Sequence, residues 1–241
     1  AVEAARRRAG LTDGEVIAAN LVAKAPSVLQ FFFFSFIPVM AALYPPAIAA
    51  RFLAVYFAGF VLISLIGVGL ARFGRRGRPA AAADFAGGAA SWPEAALGAL
   101  ADVWRPLLNM AGWMAAMTFL VMLFIQSGYP GHLNACLPLL ARLGLDASVL
   151  SLAGAGLVSM IGGAAAVGGA LAAGAVPAAV VVPLLLVISL LHNLYDLFAS
   201  SLPRAIGVFG RRLGIKVALA GFAVTQAVMA IMLVLTLKGY V

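Results

Sequence analysis

Five long apolar runs, at 28–43, 52–70, 107–125, 176–191 and 217–237, constrain this chain more than any other feature of its sequence. Several approach the ~20 residues that carry a helix across a bilayer core. Polarity does not alternate within them, so they do not suit the strands of an outer-membrane barrel. Charged residues make up 10% of the chain and hydrophobic ones 64%, whereas a soluble domain carries about a quarter charged. The expected architecture is therefore all-α: a polytopic membrane helix bundle of about five transmembrane helices, plus a glycine-rich re-entrant hairpin or broken helix.

The net charge of +8 does not point to nucleic acid, because the basic residues lie between apolar runs rather than on a soluble basic face. Arg6, Arg7 and Arg8, then Arg72, Arg75, Arg76 and Arg78, then Arg204, Arg211, Arg212 and Lys216 form three clusters. Loops on the cytoplasmic side hold such clusters. The expected location is a bacterial inner membrane, multi-pass, with a cytoplasmic N terminus. The lone Cys136 excludes an intramolecular disulfide and a multi-cysteine metal site. Charged residues precede the first run and no small-residue cleavage pattern follows it, so it reads as a retained anchor.

Four regions follow. Residues 1–26 are expected to form a cytoplasmic or interfacial helix capped by Thr12 or Asp13. Residues 27–71 form a transmembrane hairpin broken at Pro45 and Pro46. Residues 72–104 form a polar loop with an amphipathic helix that Ser91 and Glu94 can start as a capping box. Residues 105–241 form the second membrane domain, whose first span ends in the turn-forming stretch 126–134. Within it, Gly154, Gly156, Gly162, Gly163, Gly168, Gly169 and Gly174 interrupt an apolar run. That segment is either a span whose glycines allow close packing or a hairpin of two half-helices hinged at Gly162 and Gly163. The positive-inside bias favours the hairpin, because a full crossing at 147–174 would place the cluster at 204–216 outside.

Few polar side chains lie within apolar runs, and such groups usually face protein or water rather than lipid. His192, Asn193, Tyr195 and Asp196 form the densest group. His192 and Asp196 are four apart and share a helix face, which suits either a proton- or substrate-binding pair or a hydrogen bond at a helix end. Asn109, Thr118, Gln126, Ser127, His132 and Asn134 offer neutral donors and acceptors for a polar solute, or satisfy backbone at a broken helix. Ser159, beside Gly162 and Gly163, is a third candidate. Trp92, Trp104, Tyr44 and Tyr129 suit aromatic belts, and Phe31 to Phe34 suit lipid-facing bulk. No nucleophile elbow, phosphate loop, dinucleotide fingerprint or zinc spacing is present, so no catalytic residue, metal or cofactor is expected.

Several short motifs in the second half resemble the nucleoside recognition or Gate domain of spore maturation proteins, related to parts of nucleoside and ferrous-iron permeases. They are Leu107-Leu108-Asn109, Ser127-Gly128, Leu137-Pro138-Leu139-Leu140, Leu143-Gly144-Leu145, the glycine-rich segment, Leu191-His192-Asn193-Leu194 and Arg211-Arg212-Leu213-Gly214-Ile215-Lys216. The resemblance implies a helical membrane domain that moves a small solute or gates its passage. The first half, 26–72, also reads as a divergent partial copy of the second, since each holds an apolar run, prolines, an arginine and another apolar run. The expected function is a small-solute secondary transporter or transport subunit. It would use a broken-helix element and contact lipid, a small polar solute and H+ or Na+, as a homo-oligomer or with a partner membrane subunit. The alternative is a non-transporting membrane scaffold.

Overall fold

The computed structural model describes residues 11–74, 156–157 and 159–240, with scattered helical positions between 108 and 123. All regular structure among them is helical. Four helices are long and apolar enough to cross a membrane: Asp13–Leu43, Pro46–Phe73, Ala178–Phe209 and Arg211–Leu237. The chain is a multi-pass membrane protein by this measure. The expected span at 105–126, and most of the loop and turn before residue 156, lie outside the described residues.

Thr12 starts α1 (Asp13–Val22) through a full capping box, accepting from the Glu15 N–H while the Glu15 carboxylate accepts from the Thr12 N–H at 2.8 Å. Two first-turn donors are thereby satisfied. The expected interfacial helix is not separate from the first span, because only Ala23 intervenes before α2 (Lys24–Phe31). Pro26 has no N–H to give to Val22, and Ser64 repairs the joint. Its hydroxyl reaches the carbonyls of Leu21 and Val22 at 3.2 and 3.0 Å and accepts from the Ala25 N–H at 3.0 Å. Ser64→Ala should therefore lower stability by about 1 kcal/mol, because it strands part-buried backbone groups. A thermal melt in detergent that matches wild type would refute this bridging role.

Beyond α2 the helix widens into a π turn at Phe32–Phe36 and continues as α3 (Ile37–Leu43). Pro38 supplies the reason, since a proline in helix cannot donate to the fourth residue before it and its ring clashes with that carbonyl. Adding a residue to the turn relieves both problems. One consequence corrects the expectation for the phenylalanine run: Phe33 and Phe34 are exposed, but Phe32 is 5% exposed and belongs to the core.

Pro46 opens α4 (Pro46–Gly74), which returns alongside α1 and crosses it at Gly67. A Cβ there would lie 2.8 Å from the Val22 nitrogen and 2.9 Å from the Ala18 oxygen, so only glycine allows this approach. Later in the chain come α5 (Met160–Ala172), α6 (Ala178–Asp196), a second π turn at Leu197–Ser201, α7 (Leu202–Phe209) and α8 (Arg211–Leu237). Pro203 stands two residues beyond the second π turn, as Pro38 stands beyond the first.

The two halves match element for element. Asp13 and Ala178 begin the long helices, Phe32 and Leu197 the π turns, Ile37 and Leu202 the short helices, and Pro46 and Arg211 the return helices, with equal spacing in every pair. Under that alignment Phe33, Ser35 and Pro38 meet Phe198, Ser200 and Pro203, and Arg51 meets Lys216. The units run in opposite directions. Asp13, at the start of α1, pairs with Lys216, near the start of α8, at 2.6 Å. At the other end Tyr44 donates to the Ala164 carbonyl, and the turn at 173–177 leads from α5 into α6. Thus α1 to α3 run away from Lys216, and α6 to α7 run towards it. The main core fills the middle, with Phe36, Phe52, Ile63, Leu184, Ile188 and Met229 fully buried.

Candidate functional site

α6 brings the predicted polar cluster to the end of the molecule where Arg72, Arg204, Arg211, Arg212 and Lys216 gather, called here the basic end. Here the second π turn governs geometry. In an α-helix, residues five apart point about 140° away from each other. Across the wider turn the Ser201 hydroxyl instead donates to Asp196 Oδ2 at 2.7 Å. Asp196 and Ser201 then face a cavity of about 290 Å³ together with Asn20, Lys24, Asn193 and Arg204. Exposed Arg204 and Val208 lie at its rim. Thr225, 6% exposed, marks its depth halfway along α8 and donates to the Gly221 carbonyl at 2.7 Å.

Most polar groups around this cavity have partners within the fold, but not all do. Arg204 donates to Ser200 Oγ at 2.6 Å. Gln226, on the neighbouring turn, donates through Nε2 to the Leu190 carbonyl at 3.0 Å. Its Oε1 and the Nδ2 of Asn193 are both buried without a hydrogen-bond partner. The Lys216–Asp13 pair ties α8 to α1 at the basic end; both groups are well exposed, which makes it a weak tie.

The expected pairing of His192 with Asp196 does not form. Asp196 turns to Ser201, whereas His192 Nδ1 lies 3.2 Å from the Leu157 carbonyl and its ring stacks on Tyr195 at 6.1 Å. His192 thus contacts the segment before α5, and Asn193 and Asp196 line the cavity. Ser159 is the N-cap of α5, accepting from the Gly162 N–H at 3.0 Å. The turn expected at Gly162 and Gly163 is corrected accordingly: the chain bends at extended Ser159, and helix runs unbroken through both glycines. Gly163 is buried because its neighbour is backbone; a Cβ there would lie 2.5 Å from the Gly156 Cα. Asn109, Gln126 and Ser127, with Thr118, His132 and Asn134, lie outside the described residues.

Asn20, Lys24, Arg204 and Thr225 are functional candidates that the sequence pattern assigned elsewhere. Asn20 and Lys24 stand four apart, a same-face spacing, but they sit in a segment whose charges made it look extramembrane. Thr225 carries no signal beyond being a hydroxyl in an apolar run.

At the opposite end the equivalent space is filled. Ser201, Ala205, Val217, Gly221 and Thr225 line the cavity; their counterparts in the first half are Phe36, Met40, Phe52, Tyr56 and Phe60. All five counterparts are buried. Phe32, Phe36, Phe52 and Tyr56 form a continuous set of ring contacts, with centroids 5.4 to 6.1 Å apart, and Phe60 meets Tyr56 edge-on at 5.1 Å. Such aromatic pairs contribute beyond the area they bury. Small side chains leave a cavity at one end, and large ones plug its counterpart at the other. Among the described residues, no group of His, Cys, Asp and Glu could hold a metal ion. No family model, curated protein or solved structure matches the chain.

Proposed function

We propose that this protein is a small-solute secondary transporter or transport subunit of a bacterial inner membrane, with its N terminus in the cytoplasm. The observation that carries the reading is a polar cavity at the basic end, lined from two helical units of opposite direction, while aromatic rings fill the equivalent space at the other end. Transporters built from inverted repeats place the solute between the repeats and exchange access by moving one against the other. Among the described residues, Arg72, Arg204, Arg211, Arg212 and Lys216 at the basic end outnumber Arg51 and Lys238 at the other, which supports a cytoplasmic basic end. The cavity is then open to the cytoplasm. Asp196 is its carboxylate and the candidate for coupling to H+ or Na+.

The short helix α5 supports a broken-helix element. Its 13 residues span about 20 Å, less than the ~30 Å hydrocarbon core, and it is bent off the preceding helical residues at Ser159. The Gate-domain likeness agrees with a solute-moving role. A scaffold assembled with a partner subunit is the second reading, favoured by the burial of Gly156 and Gly163, but it gives no use to a polar cavity at membrane depth.

A cysteine placed at Thr225 in a Cys136→Ala background tests the proposal. Alternating access predicts labelling by a membrane-impermeant thiol reagent from the cytoplasmic side, and slower labelling from the outside in the same preparation. Control cysteines at Gly174 and Lys238 should label from outside alone, and one at Arg211 from inside alone. Silence of Thr225→Cys from both sides, with the controls behaving, would sink the transport reading.

A further inference from the structure

Among the described residues, three donors at the cavity are not used up. Asn193 Nδ2 is buried and unpartnered; an amide N–H left so is costly, and a ligand acceptor removes the cost. Lys24 Nζ makes no hydrogen bond or ion pair among the described residues, and it lines the cavity together with Asp196 and Arg204. Arg204 spends one bond on Ser200 and keeps its other N–H groups at the rim. Two cations therefore face one carboxylate, and that carboxylate already accepts from Ser201.

We infer that the cavity is a binding site for a small oxyanion, a carboxylate or phosphate, held by the charges of Lys24 and Arg204 and by the Asn193 amide. The arrangement explains three things together. An anion between Lys24 and Arg204 relieves their mutual repulsion, its oxygen accepts the stranded Asn193 N–H, and guanidinium suits oxyanions by its forked donors. A volume of about 290 Å³ admits a phosphate or short dicarboxylate. Asp196 opposes this ligand, which fixes the sign of its substitution. The inference rests on reading the cavity as a ligand site. Two sources share the chemistry: a dissolved anion, or an anionic lipid headgroup entering from the basic end, where such headgroups concentrate.

The full chain in phosphatidylcholine nanodiscs would be titrated with inorganic phosphate and with succinate, reading the rise in unfolding temperature. A parallel set of discs would contain phosphatidylglycerol. Wild type should respond to at least one soluble anion; Lys24→Gln, Arg204→Gln and Asn193→Leu should each weaken the response by about tenfold or more in apparent affinity. Lys24→Arg should retain it, and Asp196→Asn should strengthen it. Stabilisation by phosphatidylglycerol alone, lost in Arg204→Gln, supports the site with a headgroup as occupant. If Asp196→Asn abolishes the response while Lys24→Gln and Arg204→Gln keep it, the site takes a cation and the inference falls. It falls too if no anion shifts the folded wild type. Anion binding without two-sided access at Thr225→Cys would remove transport and leave this site standing; two-sided access without anion binding would do the reverse.

Discussion

Gly214→Val should unfold the wall of the cavity, lowering stability by about 3 kcal/mol or more, because overpacking against backbone cannot be relieved by a rotamer change. A Cβ at Gly214 would lie 2.5 Å from the Ala205 oxygen, and 2.6 Å from both the Ala205 carbonyl carbon and the Ile206 Cα. Those atoms belong to α7, which Gly210, at φ 77°, folds back against α8 in a single-residue turn. Separation of α7 from α8 would carry Arg204 and Ala205 away from Gly221 and Thr225. Gly169→Ala is the matched control, since nothing lies within 4 Å of its Cβ position and alanine favours helix over glycine by roughly 0.5–1 kcal/mol. A detergent melt of Gly214→Val indistinguishable from that of Gly169→Ala would show that the close approach of α7 and α8 does not matter.

At Ser159 the expected result is an asymmetry between two glycines. A Cβ at Gly156 meets three atoms of the Ile188 side chain, whereas a Cβ at Gly163 meets the Gly156 backbone as well as Ile188. Both Gly156→Ala and Gly163→Ala should cost about 1–3 kcal/mol, the usual range for overpacking. Ile188→Ala alone removes a fully buried side chain and should cost about 2–5 kcal/mol. Combined with Gly156→Ala, however, it removes the clash, and the pair should fall short of the sum of the singles by about 1 kcal/mol or more. Combined with Gly163→Ala it leaves the backbone clash in place, so the two costs should nearly add. Equal non-additivity in both cycles would mean that side-chain crowding alone limits this bend.

Much of the architecture was legible because bilayer energetics act on composition over long stretches. The runs at 28–43, 52–70 and 217–237 fall in helix, as does that at 176–191 from residue 178 onward, and Thr12, one of the two expected caps, is the N-cap of α1. Asn193 and Asp196 were legible for the same reason, as polar groups that lipid would not tolerate. The cavity as a whole was not, since Lys24 and Arg204 carry charges that mark them as extramembrane residues. Packing of α1 on α8 and the second π turn draw them inward. The bend at Ser159 was hidden because seven glycines offered many places to turn, and a serine cap competes with them through one hydrogen bond. The halves' likeness showed faintly as shared prolines and arginines; their boundaries reveal it, because aromatic residues in one half stand where small ones stand in the other.

The π turns have a consequence for how lateral surfaces are presented. One extra residue advances a helix by about 100°, so each of the two broken spans is a pair of helices out of phase, joined end to end. Residues that share a stripe before Phe32 or Leu197 no longer share it after Phe36 or Ser201. A helical wheel drawn over all of Asp13–Leu43 or Ala178–Phe209 superimposes two unrelated faces and blurs both. Each span can thereby address different neighbours before and after its π turn, and Asp196 and Ser201, five apart in the chain, come to one side.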